Sequence, residues 1–236
     1  MGIMLIKMQR GVSYMTANRA EAAKLLEKGQ ALFEDNRIDE AFRLFSGAIS
    51  LDPDYAEAYI VKAEAHMGMM EMEEAQECIR TYLKFDPDSE RACGDLMDIH
   101  YESGEFGESL ACCDKLIAAR SSDPYLFAIK AYLLSHLDRV DESLQYYDRA
   151  LALKPDFYDA CCDKANLLSE CGCHGESLAV YNKAISMDPG KAEAYFGAAC
   201  TCHKLGYRNK ARFFMQKAHE LEPEDEFINM HIKVMQ

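Results

Sequence analysis

The sequence predicts an all-α solenoid of stacked antiparallel helix pairs, and two observations carry that prediction. A proline returns every 34 residues, at Pro53, Pro87, Pro155, Pro189 and Pro223, with Ser121 in the one slot where it is missing. The residues between these prolines repeat a small-and-large apolar pattern at helical spacing, always in the same register. Proline lacks a backbone N–H and cannot continue a helix. Asp52, Asp86, Asp188 and Glu222 precede four of the prolines and Lys154 the fifth, so each site reads as a helix stop and a turn. A chain of 236 residues would otherwise form one or two globular domains. A repeat array grows by stacking and needs no single central core.

Placing the recurrent proline at position 32 divides the chain into six units: 22–55, 56–89, 90–123, 124–157, 158–191 and 192–225. Each unit reads as two amphipathic helices, A and B, joined by a short turn. Residues 1–21 precede the array as an extension, either a short helix covering the first repeat or a partly disordered segment, with Thr16 as a plausible N-cap. In helix A, position 8 is small (Gly29, Ala63, Ala131, Ala165, Ala199). In helix B, position 20 is small throughout (Ala41, Ala75, Ser109, Ser143, Ser177, Ala211) and position 24 is mostly large (Phe45, Ile79, Cys113, Tyr147, Tyr181, Met215). Position 27 is alanine in four units: Ala48, Ala150, Ala184 and Ala218. Small residues let two helix axes approach, and large ones four residues on fill the groove beside them.

With Lys62-Ala63, Lys130-Ala131 and Lys164-Ala165 in helix A, and Asp39-Glu40-Ala41 and Asp141-Glu142-Ser143 opening helix B, this spacing resembles the tetratricopeptide repeat (TPR) over 22–225. The resemblance implies a right-handed superhelix whose concave groove is lined by A helices. Repeat 3 departs most, with Met97 at position 8, Cys93 at position 4 and Ser121 at position 32. Drift within a tolerant fold accounts for this better than a changed packing angle between repeats 3 and 4. Ser121-Ser122-Asp123-Pro124 still reads as a helix start, with Asp123 as N-cap and Pro124 at N1. Residues 226–236 place Phe227, Ile228, Ile232 and Met235 at helical spacing and are expected to cap repeat 6.

The chain carries 26 basic and 40 acidic residues, a formal net charge of −14. Such a surface repels phosphates, so a nucleic-acid partner is not expected and a basic peptide or protein is. Ten cysteines without a secretory signal point to reduced thiols in the cytoplasm. The apolar run over residues 3–8 is broken by Lys7 and is too short to span a bilayer, so no membrane segment is expected.

No motif for catalysis stands out: a glycine-rich phosphate loop, Gly-x-Ser-x-Gly and His-Glu-x-x-His are all absent. The expectation is a non-catalytic scaffold without a cofactor. Two Cys-x-Cys-His clusters, Cys171-Cys173-His174 and Cys200-Cys202-His203, form the alternative of a metal or thiol-redox sensor. Cys93, Cys113, Cys161 and Cys202 occupy packing positions, where free cysteine acts as a small hydrophobe.

In the family's register, positions 2, 5, 6, 9, 12 and 13 of each A helix face the groove. Those slots hold the acids Glu27, Glu34, Glu57, Glu64, Asp95, Asp98, Glu102, Asp159, Asp163, Glu170 and Glu193, against the bases Arg91 and Lys204. Between the acidic ends lies a less charged stretch of Ile60, Met67, Tyr101, Tyr125, Ile129 and Tyr132. Tyrosine offers large contact area with a polar tip. The expected binding site is therefore Ile60, Glu64, Met67, Asp95, Asp98, Tyr101, Glu102, Tyr125, Ile129, Tyr132, Asp163 and Asn166. Family members that clamp a chaperone's C-terminal carboxylate use lysine at position 5. Here that position reads Leu26, Ile60, Gly94, Ala128, Cys162 and Phe196, and of the clamp's asparagines only Asn166 is matched. An acidic groove would also repel a carboxylate. Self-association through an exposed terminal face is the third alternative.

Overall fold

The structure is a computed structural model that describes residues 2–235, with side-chain surroundings for 17–232. The described residues form thirteen helices and no strand. They are α1 (Gly2–Glu34), α2 (Ile38–Leu51), α3 (Ala56–Gly68), α4 (Met72–Tyr82), α5 (Glu90–Glu102), α6 (Phe106–Ala119) and α7 (Pro124–His136). The chain continues as α8 (Val140–Leu153), α9 (Tyr158–Glu170), α10 (His174–Met187), α11 (Ala192–Lys204), α12 (Arg208–Leu221) and α13 (Glu226–Met235). Odd-numbered helices up to α11 are the A helices and even-numbered ones the B helices. The chain belongs to the all-α solenoid class. It divides into two compact units, Met1–Glu105 and Phe106–Gln236, with the division in the A–B turn of repeat 3.

Local signals set the helix ends. The Asp123 carboxylate accepts the Tyr125 N–H at 2.9 Å with Pro124 in the first turn, and the Ser89 hydroxyl accepts the Ala92 N–H to start α5. Position 15 closes every A–B turn in the left-handed region: Asn36, Met70, Gly104, Asp138, Gly172 and Gly206 all have positive φ. Glycine has no Cβ to clash there, and Asn and Asp tolerate it. Met70 (φ 62°) is the misfit, and its side chain is 73 % exposed.

Packing follows the register within each unit. The alanines at positions 8, 20 and 27 have essentially no exposed surface, and Phe45, Ile79, Cys113, Tyr147, Tyr181 and Met215 at position 24 are buried beside them. Ser143 and Ser177 are fully buried at position 20, and each donates its hydroxyl to the position-8 carbonyl of its own A helix, Ala131 O at 2.6 Å and Ala165 O at 2.7 Å. Those bonds satisfy the hydroxyls without opening the helix pair. Position-7 lysines tie successive repeats: Lys130 pairs with Asp114 and Lys164 with Asp148, each at position 25 of the repeat before. In the second unit α13 lies on the last pair, with Ile228 in one cluster with Ala199 and Met215.

Candidate functional site

In the first unit, the exposed side of α3 and α5 carries Glu57, Glu64, Asp95, Asp98 and Glu102. The last three recur at i, i+3 and i+7, so one helix face presents them all. Arg91 reaches back from α5 to α3 and pairs with Glu64 and, at 3.4 Å, with Glu57. Arg91 thus sets one positive charge against two of the acids, closest to Glu64, and is itself held firmly charged by these carboxylates. Asp95 is left out. Its Oδ2 is buried with no hydrogen-bond partner, and burial first, then the charge on Glu64, pushes its carboxyl up to about 6 against the pull of Arg91. Burial and then the neighbouring Glu102 raise Asp98 as well.

Ile60 does not belong to this face. It is fully buried, as are Leu26 and Cys162 at the same position 5. That position turns into the packing between stacked repeats, so the expectation that it lines the surface is corrected. Met67 is half-buried, and Tyr101 is 38 % exposed beside the acids of α5.

In the second unit, α7 carries Tyr125, Ile129 and Tyr132 at i, i+4 and i+7, so one helix face presents them. Tyr125 is exposed, but its ring rests against Phe157 at 4.9 Å and under the Lys154 ammonium at 4.4 Å. Ile129 is half-buried, and Tyr132 is half-buried against His136 at 4.6 Å. One repeat further, Asp163 sits half-buried with no cation against it, and burial, then Glu193 and Asp159, push its carboxyl up to about 6. Glu193 is raised by burial and by Asp159, while Lys191 approaches Asp159 at 3.6 Å. Asn166 is exposed at its edge, and its Oδ1 accepts the Tyr181 hydroxyl. Asn166 is thus partly a packing residue.

These raised carboxyls make a signed prediction. A carboxyl raised in the folded state binds its proton more readily there, so stability falls as pH rises from the ordinary value of 3.8 through about 6. Asp163→Asn removes the charge, so it should raise the melting temperature at pH 7.5 and leave it unchanged at pH 3.5. After allowance for the water that still reaches the group, the gain at pH 7.5 is about 1 kcal/mol. Thermal melts of both proteins at the two pH values check this.

The cysteine clusters do not converge. Cys171 and Cys173 are exposed on either side of the Gly172 turn, Cys200 is half-buried, Cys202 is fully buried and His203 points to solvent. Among the described residues no three His, Cys, Asp or Glu side chains are placed to hold a metal ion. Burial raises Cys200 and Cys202, which disfavours the thiolate that a metal or a redox partner needs. Cys93, Cys113, Cys161 and Cys202 are buried packing residues.

Comparison with known proteins agrees with this architecture. Models of the tetratricopeptide repeat match residues 32–92, 95–156, 158–191 and 192–225. The chain belongs to the tetratricopeptide-repeat family, whose fold is a scaffold for protein interaction. Among solved structures it is similar to YrrB, a TPR protein with an unusual peptide-binding site. The TM-score is 0.63 at 24 % identity over 80 % of this chain and 97 % of that one. It is also similar to PilW, a type IV pilus biogenesis factor (TM-score 0.70, 19 % identity, 89 % and 98 % covered). A third likeness is to pilF of Pseudomonas aeruginosa (TM-score 0.66, 16 % identity, 92 % and 99 % covered). At these identities the likeness is one of fold. The DnaJ protein P58IPK homolog of Arabidopsis thaliana is 25 % identical over 146 residues, 56 % of this chain. The match spans only 30 % of that relative's length. Among the described residues no helix is long and apolar enough to cross a membrane.

Proposed function

We propose that the chain is a non-catalytic adaptor whose A-helix faces take a basic peptide or protein segment. One observation carries this reading. Asp95 and Asp163, one in each unit, are half-buried carboxylates pushed up to about 6, crowded by other acids; Asp95 has an unpartnered oxygen, and no cation lies against Asp163. Holding like charges in a partly dry site costs stability, and a lysine or arginine brought by a partner would offset that cost. Tyr101 supplies aromatic area beside the acids of α5, and Tyr125 an exposed ring in the other unit. YrrB, with a related fold, has a peptide-binding site. All ten cysteines are unbridged, which favours a reducing compartment such as the cytoplasm.

The test is capture from lysate at low salt by the wild-type chain and by Asp95→Lys/Asp98→Lys, with Asp163→Lys as a separate variant. A client that carries a basic segment, is released by salt and is lost by the variants supports the reading. The same clients on all three proteins, held equally in high salt, would refute it.

A further inference from the structure

Eight of the ten cysteines lie wholly or partly inside the fold: six are buried, and Cys78 and Cys200 are half-buried. Burial raises the thiols of Cys78, Cys161, Cys200 and Cys202, and pushes Cys113 and Cys162 up to about 12. Thiols held in this way are chemically inert. Cys171 and Cys173 are the exceptions, and both are exposed. A free cysteine is usually a buried small hydrophobe, so packing does not explain an exposed pair. The pair is also peculiar to repeat 5. It occupies positions 14 and 16, on either side of the A–B turn, and no other repeat has a cysteine at either position.

Gly172 between them has φ 81°, in the left-handed region. One such residue folds the chain back as a helical residue does, so the Cα atoms on either side of it lie about 5.5 Å apart. That falls inside the span of about 4.4–6.8 Å over which disulfides form. Burial first, then the charge of Cys173, and after it Glu170 and Asp141, raise the Cys171 thiol, so the two sulfur groups act on each other. The turn is held by main-chain bonds, from Cys171 N–H to Leu167 O at 3.0 Å and from Cys173 N–H to Leu168 O at 2.8 Å. Neither thiol is needed to make it. The two settings differ. Cys171 is the C-cap of α9, where the helix dipole opposes negative charge. Cys173 is the N-cap of α10, where the dipole favours it, and its side chain caps no N–H.

We propose that Cys171-Gly172-Cys173 is a redox modification site, whose two thiols close into a disulfide on reaction with a low-molecular-weight disulfide such as oxidised glutathione. The Cys173 sulfur, as thiolate, attacks one sulfur of the reagent. The reagent's S–S bond breaks, and one glutathione leaves and takes up the proton that Cys173 gave up. Cys171 then gives up its proton and attacks the Cys173 sulfur of the mixed disulfide. The second glutathione leaves and takes up that proton. Two thiols of the chain are oxidised to one disulfide, and the reagent is reduced to two thiols. An exposed disulfide closed over a single residue is of the labile kind, so thiols reopen it.

The experiment treats the full chain with oxidised glutathione, alkylates the remaining thiols in denaturant and maps the products by mass spectrometry. The wild type should lose two hydrogens within the segment that holds Cys171 and Cys173 and keep no glutathione there, while the other eight cysteines are alkylated. Dithiothreitol should restore the starting mass. Cys171→Ser should stop at a glutathione adduct on Cys173. Cys173→Ser should react at Cys171 about tenfold more slowly. Both side chains are exposed, so both variants should melt with the wild type. A wild type that keeps glutathione on either cysteine, closes no disulfide, or joins two chains through one would overturn the proposal. Equal rates in the two variants would overturn it as well, since the order of attack is part of it.

Discussion

Replacing Tyr181 by alanine is expected to destabilise the second unit by about 3–5 kcal/mol, the range for removing a large buried ring. Tyr181 is 2 % exposed and joins three helices. It rises from α10, donates its hydroxyl to Asn166 on α9, and lays its ring over Gly197 on α11. Gly197 is a glycine for that reason: a Cβ built there would fall inside the Tyr181 ring. Gly197→Ala should accordingly cost about 1–3 kcal/mol through overpacking. The two changes are coupled, because the alanine methyl fits once the ring is gone. The double variant should therefore lose clearly less than the sum of the singles. Urea unfolding of the four proteins measures this cycle, and simple additivity would show that the ring does not press on position 197.

Reversing Asp95 and Asp98 to lysine should weaken binding of a basic client by about 100-fold or more at low salt. Close charge pairs across an interface are worth about 1.5 kcal/mol and upward, and two such pairs multiply to roughly that factor. The effect should shrink as salt screens the surface. Glu64 behaves differently. Arg91 already neutralises it, so Glu64→Gln should change affinity by no more than about threefold. Titration calorimetry with a captured client would separate the two classes. Equal losses at Glu64 and Asp95 would mean that Arg91 lets go of Glu64 on binding.

Much of the fold was legible because packing constrains residue size at fixed positions. Positions 8, 20, 24 and 27 carried the small-and-large code, and the structure buries those residues together. The helix start at Asp123-Pro124 was readable from its cap chemistry alone. The turn at position 15 was half hidden. Glycine, asparagine and aspartate mark five of its six left-handed residues, but Met70 gives no signal at all.

The candidate site was less legible because a face assignment says which side a residue takes, not how it is engaged. Position 5 looked like surface, although Leu26, Ile60 and Cys162 are apolar there, and this was the available clue that it packs inward. Arg91 read as one base among acids, whereas its position on α5 lets it cover two acids of α3. Tyr125 is engaged by Phe157 and Lys154, contacts that join residues far apart in the chain.

The most direct test of the central claim is a side-chain NMR titration of Asp95 in the full chain, first free and then saturated with a captured basic segment. The account predicts a carboxyl that titrates near 6 when free and below 3.8 when a partner's cation lies against it. A free value near 3.8, or a value that the bound segment leaves unmoved, would contradict it.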